Sequence, residues 1–162
     1  MKGESESATE TTRSTHAAAA LVYVHAGIVI VHGAAHARLH VALSTWAGVF
    51  VAVVIGIAPI AGLVLLKRGN RLKGAGTLAT AMAASFVFGI WNHFFVPGGD
   101  HVTHLSSGPW RLPFQVTAGL LAVTEGIGLL LALRLLCSQA GGGPQQRERG
   151  KGEPWPTQYS KR

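Results

Sequence analysis

Four histidines in one stretch of the chain have the spacing of a single helix face. His25, His32, His36 and His40 stand at positions i, i+7, i+11 and i+15. At 100° per residue, the first three lie within about 40° of arc, and His40 extends that arc to about 80°. Almost all residues around them are apolar. The imidazole stripe therefore predicts a polar partner on a neighbouring element.

Further residues that could bind a metal ion follow in the second half of the chain, where His93 is succeeded by Asp100, His101 and His104. Imidazole is a common ligand of copper, zinc and iron, and a carboxylate can complete such a site. These residues predict a transition-metal site (Cu, Zn or Fe). Its primary candidate ligands are His32, His36, His93 and His104, and its secondary candidates are His40, Asp100 and His101.

Haem b is an alternative occupant, because two imidazoles from different segments at equal depth can bind the iron axially. His36 and His93 would form that pair. We favour a bare ion, since the Gly and Ala residues of the third and fourth apolar segments predict close helix packing. A third interpretation is that these histidines are interfacial polar residues that bind no ligand.

Glu125 is the single charged residue between positions 112 and 133. A carboxylate near the middle of a membrane is costly when charged and is usually paired or functional. His25 falls within about one helical turn of the same depth, so we expect Glu125 and His25 to form a buried polar pair that fixes helix register. The functional alternative is a proton relay from Glu125 through His25 and His32, in a proton- or solute-coupled carrier.

The elements that position these residues follow from the distribution of charge. Charged residues make up 13% of the 162 residues, against about 25% in soluble domains. Long windows without any charge, such as 39–66 and 74–99, exceed the roughly 20 residues that cross a bilayer as a helix. The sequence therefore predicts an all-α integral membrane four-helix bundle. Its expected spans are about 17–38, 44–66, 74–96 and 113–136.

The segments outside the spans set the expected topology. Residues 1–16 are mostly polar, and residues 137–162 are rich in Gly, Pro, Gln and charge, so we expect both tails to be disordered. Twelve of the fourteen Lys and Arg residues lie in or next to the tails and the 67–73 loop. By the positive-inside rule we expect both termini to be cytoplasmic, in a protein of the cell (inner) membrane.

The distribution of Lys and Arg also indicates which kind of partner the protein has. The net charge of +7 follows membrane topology, so we expect lipid and no nucleic acid as partner. The lone Cys137 excludes a disulfide within the chain. A homo-oligomer or a larger membrane complex is a further expectation, and an accessory subunit without chemistry of its own is a third functional alternative. These residues leave open whether the chain is an enzyme.

Overall fold

A computed structural model of the protein describes the backbone of residues 2–140 and the side chains of residues 12–139. The fold is all-helical, as predicted. Two of the long helices contain a π-helical segment, in which each turn holds more residues than an α-turn. In chain order the elements are α1 (Lys2–Arg38), α2 (Thr45–Phe50), a π segment (Val51–Ile57), α3 (Ala58–Lys67), α4 (Arg71–Ile90), a second π segment (Trp91–Phe95) and α5 (Arg111–Ala140).

Four helical segments are long and apolar enough to cross a membrane. The predicted four-helix membrane bundle is thereby confirmed. The largest difference from the expected bounds is at the start of the first segment, which begins at Thr12. The segments are span 1 (Thr12–Arg38), span 2 (Thr45–Lys67), span 3 (Arg71–Phe95) and span 4 (Arg111–Gln139).

The structure describes the backbone of the N-terminal tail from residue 2 and that of the C-terminal tail to residue 140. Helix α1 begins at Lys2, so it includes residues 2–16, where the sequence predicts disorder. At the other end α5 reaches Ala140. The rest of the predicted disordered tail, 141–162, lies outside the described residues.

The distribution of side chains is that of a bundle in lipid. Large apolar residues face outward: Ile30 is 73% exposed and Trp46 is 74% exposed. Polar residues lie in the interior, where their hydrogen bonds can be satisfied by neighbouring helices. The buried polar and charged residues are His25, His32, Ser85, His93, Thr117, Thr124 and Glu125.

The four spans form a ring: span 3 packs against spans 2 and 4, span 4 also packs against span 1, and a smaller contact between spans 1 and 2 closes the ring. Spans 1 and 3 therefore face each other across the interior. Spans 2 and 3 approach most closely at Gly74, where an added Cβ would lie 2.6 Å from the backbone nitrogen of Leu66. Glycine is required there because backbone, not a flexible side chain, occupies the space.

Pro59 explains an irregularity in span 2 and the role of a buried histidine. Proline has no N–H to donate to the carbonyl four residues earlier, which is that of Ile55. The π segment lies over this stretch, and His25 Nε2 donates to the Ile55 carbonyl at 3.3 Å. A side chain from span 1 thus satisfies the carbonyl that proline leaves free.

The bundle has two different ends. We call the end that carries residues 39–44 and 96–110 the two-loop end. The opposite end carries the 68–70 turn, the beginning of span 1 and the end of span 4, and we call it the terminal end. At the two-loop end the Arg38 guanidinium lies 5.9 Å from the centre of the Trp110 ring, a cation–π contact that joins the end of span 1 to the 96–110 loop.

Candidate metal centre

Three histidines converge in the interior near the two-loop end. His32 and His36 come from span 1, and His93 comes from span 3 on the opposite side of the ring. Each offers one ligand nitrogen, and these three nitrogens lie within 4.8 Å of one another. The imidazole stripe predicted from the spacing in span 1 therefore meets a histidine of a second span.

The end of span 1 positions His36. The Val41 amide donates to the His36 carbonyl at 3.0 Å, and the His40 amide is 3.4 Å from the Ala37 carbonyl. These are the two bonds of a Schellman motif, in which the residue after the cap adopts positive φ; His40 has φ 53°. The turned chain brings the Val41 carbonyl to 3.4 Å from His36 Nδ1. His36 Nδ1 is thus the donor, and its Nε2 points inward.

The 96–110 loop folds back on span 3 and positions Asp100. The Val102 amide donates to the His93 carbonyl at 3.0 Å. Gln115 Nε2, from span 4, donates to the Val102 carbonyl at 2.7 Å. These bonds bring Asp100 Oδ1 to 3.2 Å from His36 Nε2 and 3.3 Å from His93 Nδ1. A carboxylate from the loop therefore closes the histidine group on its outer side.

The contacts of His32 fix which of its nitrogens carries the proton. The Thr117 hydroxyl lies 2.6 Å from the Pro113 carbonyl and donates to it. The Thr117 oxygen therefore accepts from His32 Nδ1, which is 2.8 Å away. In the neutral ring, Nε2 of His32 consequently carries no proton, and its lone pair faces the other histidines.

The contacts of His93 likewise determine which of its nitrogens carries the proton. Its Nδ1 lies 3.0 Å from the Asp100 carbonyl oxygen and close to the carboxylate of the same residue, and both of these groups only accept. His93 Nδ1 is thus the donor, and its Nε2 is a lone pair in the neutral ring. That Nε2 is 3.2 Å from His32 Nε2. Two acceptor nitrogens face each other, so a cation or a shared proton must lie between them.

Asp100 adds negative charge to this point. Its Oδ1 is buried and, within the described part of the chain, accepts no well-aligned hydrogen bond, although His93 Nδ1 lies 3.3 Å away. Burial alone raises the pKa of the Asp100 carboxyl. The His93 ring beside it and the positive charge available to His36 and His32 outweigh burial and hold the pKa below its ordinary value. The carboxyl is thus ionised at neutral pH and favours a cation next to His36 Nε2.

Phe114 closes the inner wall of the site. Its ring is fully buried, and its centre lies 4.6 Å from that of His32, 4.8 Å from that of His36 and 5.4 Å from that of His93. An aromatic ring in contact with all three imidazoles restricts their rotation and keeps water from the side facing span 4. Sequence reasoning missed Phe114, because an apolar residue in an apolar span carries no signal of its own.

The distances suit a first-row metal ion. With bonds of about 2.0–2.1 Å to each imidazole, two ligands at a tetrahedral angle lie roughly 3.4 Å apart. The 3.2 Å between the Nε2 atoms of His32 and His93 is close to this value. The widest separation of ligand nitrogens in the group, 4.8 Å, exceeds the tetrahedral value by about 1.4 Å, so binding requires the rings to move closer by that amount.

Three other predicted ligands have different neighbours. His40 is exposed and terminates span 1. His101 Nε2 donates to the Phe94 carbonyl at 3.2 Å, and its Nδ1 accepts from the Thr103 hydroxyl at 2.8 Å. His104 is exposed, with its ring centre 4.7 Å from that of His101. None of the three belongs to the group formed by His32, His36 and His93 among the residues described.

The predicted partners Glu125 and His25 are both buried, and the structure gives His25 other partners. His25 Nε2 donates to the Ile55 carbonyl, and its Nδ1 is 3.5 Å from the Thr124 hydroxyl. Glu125 instead lines a cavity that also borders His32, His36 and His93. A role for the Glu125 and His25 pair in proton transfer therefore stays a prediction.

Comparison of the chain with family models, with curated proteins and with solved structures finds no match. The functional inference consequently depends on the geometry of the site.

Proposed function

We propose that the protein is a membrane metalloprotein that binds one Cu, Zn or Fe ion and acts in redox chemistry or metal handling. The ligands are Nε2 of His32, His36 and His93, with the Asp100 carboxylate as fourth ligand. The observation that carries the proposal is the 3.2 Å contact between two nitrogens whose other ring positions already donate.

A bound cation accounts for several features at once. It accepts the lone pairs of His32 and His93, which otherwise repel. It separates His36 Nε2 from Asp100 Oδ1, two atoms that are both acceptors when the ring is neutral. It also supplies a ligand bond to the buried Asp100 Oδ1, which accepts no well-aligned hydrogen bond within the described part of the chain. Hydrogen bonds to the outer ring nitrogens orient the ligands, as is usual in metal sites.

The geometry favours a bare ion over haem b. Axial binding by His36 and His93 requires a porphyrin plane between the two rings. The centre of the His32 ring lies 4.8 Å from that of His36 and 4.9 Å from that of His93, so His32 fills this space. Asp100 contacts both rings on the other side.

We place the protein in the cell (inner) membrane with both termini in the cytoplasm, so that the metal centre opens toward the non-cytoplasmic face. The charge asymmetry of the loops supports this orientation. Labelling with a membrane-impermeant thiol reagent tests it in an Asn70→Cys, Cys137→Ser variant. The reagent should label inverted vesicles and not intact cells; the opposite pattern refutes the orientation.

Metal analysis of detergent-purified protein tests the site itself. The wild type should hold about one ion per chain after exposure to excess Zn²⁺ or Cu²⁺ and desalting. His32→Ala and His93→Ala should lose it. His104→Ala is the matched control, since it removes an exposed histidine outside the group, and it should keep the ion. Equal metal content in all four proteins would refute the assignment. A Soret band in the optical spectrum of the purified protein would show that the site holds haem and not a bare ion.

A carrier is the second candidate, and one observation favours it. The cavity that begins at the histidine group reaches Glu125 in the middle of span 4. Coupled transport predicts that Glu125→Gln abolishes uptake of the solute or proton by vesicles while metal content is retained. Assembly with a second copy or with other membrane subunits, and a purely accessory role, stay predictions.

A further inference from the structure

A cavity of about 150 Å³ lies inside the bundle, between the histidine group and the middle of span 4. Its walls are contributed by all four spans and are largely apolar. Representative wall residues are Val29, Ile55, Phe88 and Leu121. Its polar groups are confined to two places: the histidines with Asp100 at the two-loop end, and Glu125 at the inner end.

Glu125 is directed into this cavity, where His93 is close enough to act on its carboxyl electrostatically. It is 2% exposed, and its carboxyl makes no hydrogen bond or ion pair with any residue that the structure describes. Its Oε2 would lie 3.8 Å from a Cβ added at Gly89 in span 3. The carboxyl thus crosses the interior to a position where span 3 has no side chain, one helical turn (about 6 Å) below His93.

A carboxyl in this position needs a hydrogen-bond donor from outside the chain. An isolated buried carboxylate is strongly unfavourable unless a donor or an opposite charge accompanies it. The side chains of Gly89, Leu121 and Ala122, which line the cavity with it, have no donor. His93 is close enough to act on Glu125 electrostatically, but its proton is on Nδ1, which donates to Asp100. The donor must therefore belong to whatever occupies the cavity.

The size and walls of the cavity define the rest of the occupant. An apolar cavity of about 150 Å³ stays dry and admits a molecule of the size of benzene. Water alone would leave the wall of Val29, Ile55, Phe88 and Leu121 in contact with a polar liquid. A compact apolar body fits these walls and could carry its donor toward Glu125.

We propose that the cavity binds a small organic amine, with an apolar body of about the size of a benzene ring and an ammonium or amine group hydrogen-bonded to Glu125. The site exists independently of any ion at the histidine group. When a metal is bound, the apolar body of the amine lies between Glu125 and the metal, so that the cavity would present this class of molecule to the metal centre.

Binding of benzylamine to the metal-free protein in detergent micelles tests the proposal, with ethylbenzene as a probe of nearly the same shape that lacks the donor. Saturation-transfer NMR and equilibrium dialysis, each corrected with empty micelles, measure both probes. Benzylamine should bind at one per chain and at least tenfold more tightly than ethylbenzene, because a charge-assisted hydrogen bond in a buried site has that effect.

Two variants locate the binding. Glu125→Gln keeps the shape of the side chain and should reduce the affinity for benzylamine at least tenfold, with little change for ethylbenzene. Ala122→Leu adds three carbons to the cavity wall and should abolish binding of both probes. Thermal unfolding of each variant shows whether it is folded.

Equal binding of the two probes to the wild type, or no binding of either, overturns the proposal without recourse to any variant. Unchanged benzylamine affinity in folded Glu125→Gln does so as well. Because all measurements use metal-free protein, they are separate from the metal analysis: the cavity can fail this test while the histidine group still binds its ion, and the reverse.

Discussion

Replacement of Thr117 by valine probes the arrangement that leaves the His32 lone pair facing the metal centre. Valine has the same shape and removes only the hydroxyl, which accepts from His32 Nδ1 at 2.8 Å. Both residues are 7% exposed, so water cannot replace the lost acceptor, and His32 keeps only its contact with the Phe114 backbone. A buried N–H without a partner costs about 1–3 kcal/mol, and His32 escapes this cost by moving its proton to Nε2, where the metal should bind.

The expected result is a roughly 10- to 100-fold loss of Zn²⁺ affinity, which is the usual effect of removing a hydrogen-bond partner of a ligand. Competition with a chromophoric chelator measures it. Thr124→Val is the matched control: Thr124 lies two turns deeper in the same span, is 8% exposed and bonds the Leu120 carbonyl at 2.9 Å. Affinity of Thr117→Val within twofold of the wild type, or an equal loss in Thr124→Val, would refute the reasoning.

Three further predictions concern the stability of the bundle, each measured by thermal unfolding in detergent. Gly74→Ala should destabilise it by about 1–3 kcal/mol because the new Cβ meets the backbone of span 2. Gly76→Ala is the control and should be tolerated, since Gly76 has open space around it. Equal effects of the two substitutions would contradict the close approach of spans 2 and 3. Ser85→Ala should be neutral or stabilising, since the Ser85 hydroxyl is buried without a partner in the described part of the chain, and a clear loss of stability would reveal a partner. His25→Ala should cost about 1–3 kcal/mol through the carbonyl that Pro59 leaves free, and less in a Pro59→Ala background, where the helix can satisfy that carbonyl; additive effects of the two changes would argue against this role.

The fold could be predicted from the sequence because the hydrocarbon interior of a bilayer admits few kinds of backbone structure. Helices long enough to cross a bilayer follow from the uncharged windows, and the confirmed spans differ from the predicted ones mainly in the longer first helix. Helix periodicity also placed His32 and His36 on one face, and a matched depth brought His93 to them. These inferences need only the geometry of a regular helix.

The rest of the site depends on irregular backbone, which periodicity does not describe. The positive φ of His40 turns the chain out of the helix and leaves its ring exposed. The bonds of the 96–110 loop bring Asp100 inward and keep His101 and His104 outside. The hydrogen-bond partner of His25 is a backbone carbonyl that Pro59 leaves free on another span. The sequence prediction considered only charged and polar side chains as partners and therefore paired His25 with Glu125.

X-ray absorption spectroscopy of the zinc-loaded wild-type protein tests the central claim most directly, because it reports the ligands that surround the ion. The structure predicts three imidazole nitrogens at about 2.0–2.1 Å and one carboxylate oxygen at a similar distance. A spectrum with no more than one imidazole, or one identical in the His32→Ala and His93→Ala variants, would contradict a metal centre shared between spans 1 and 3.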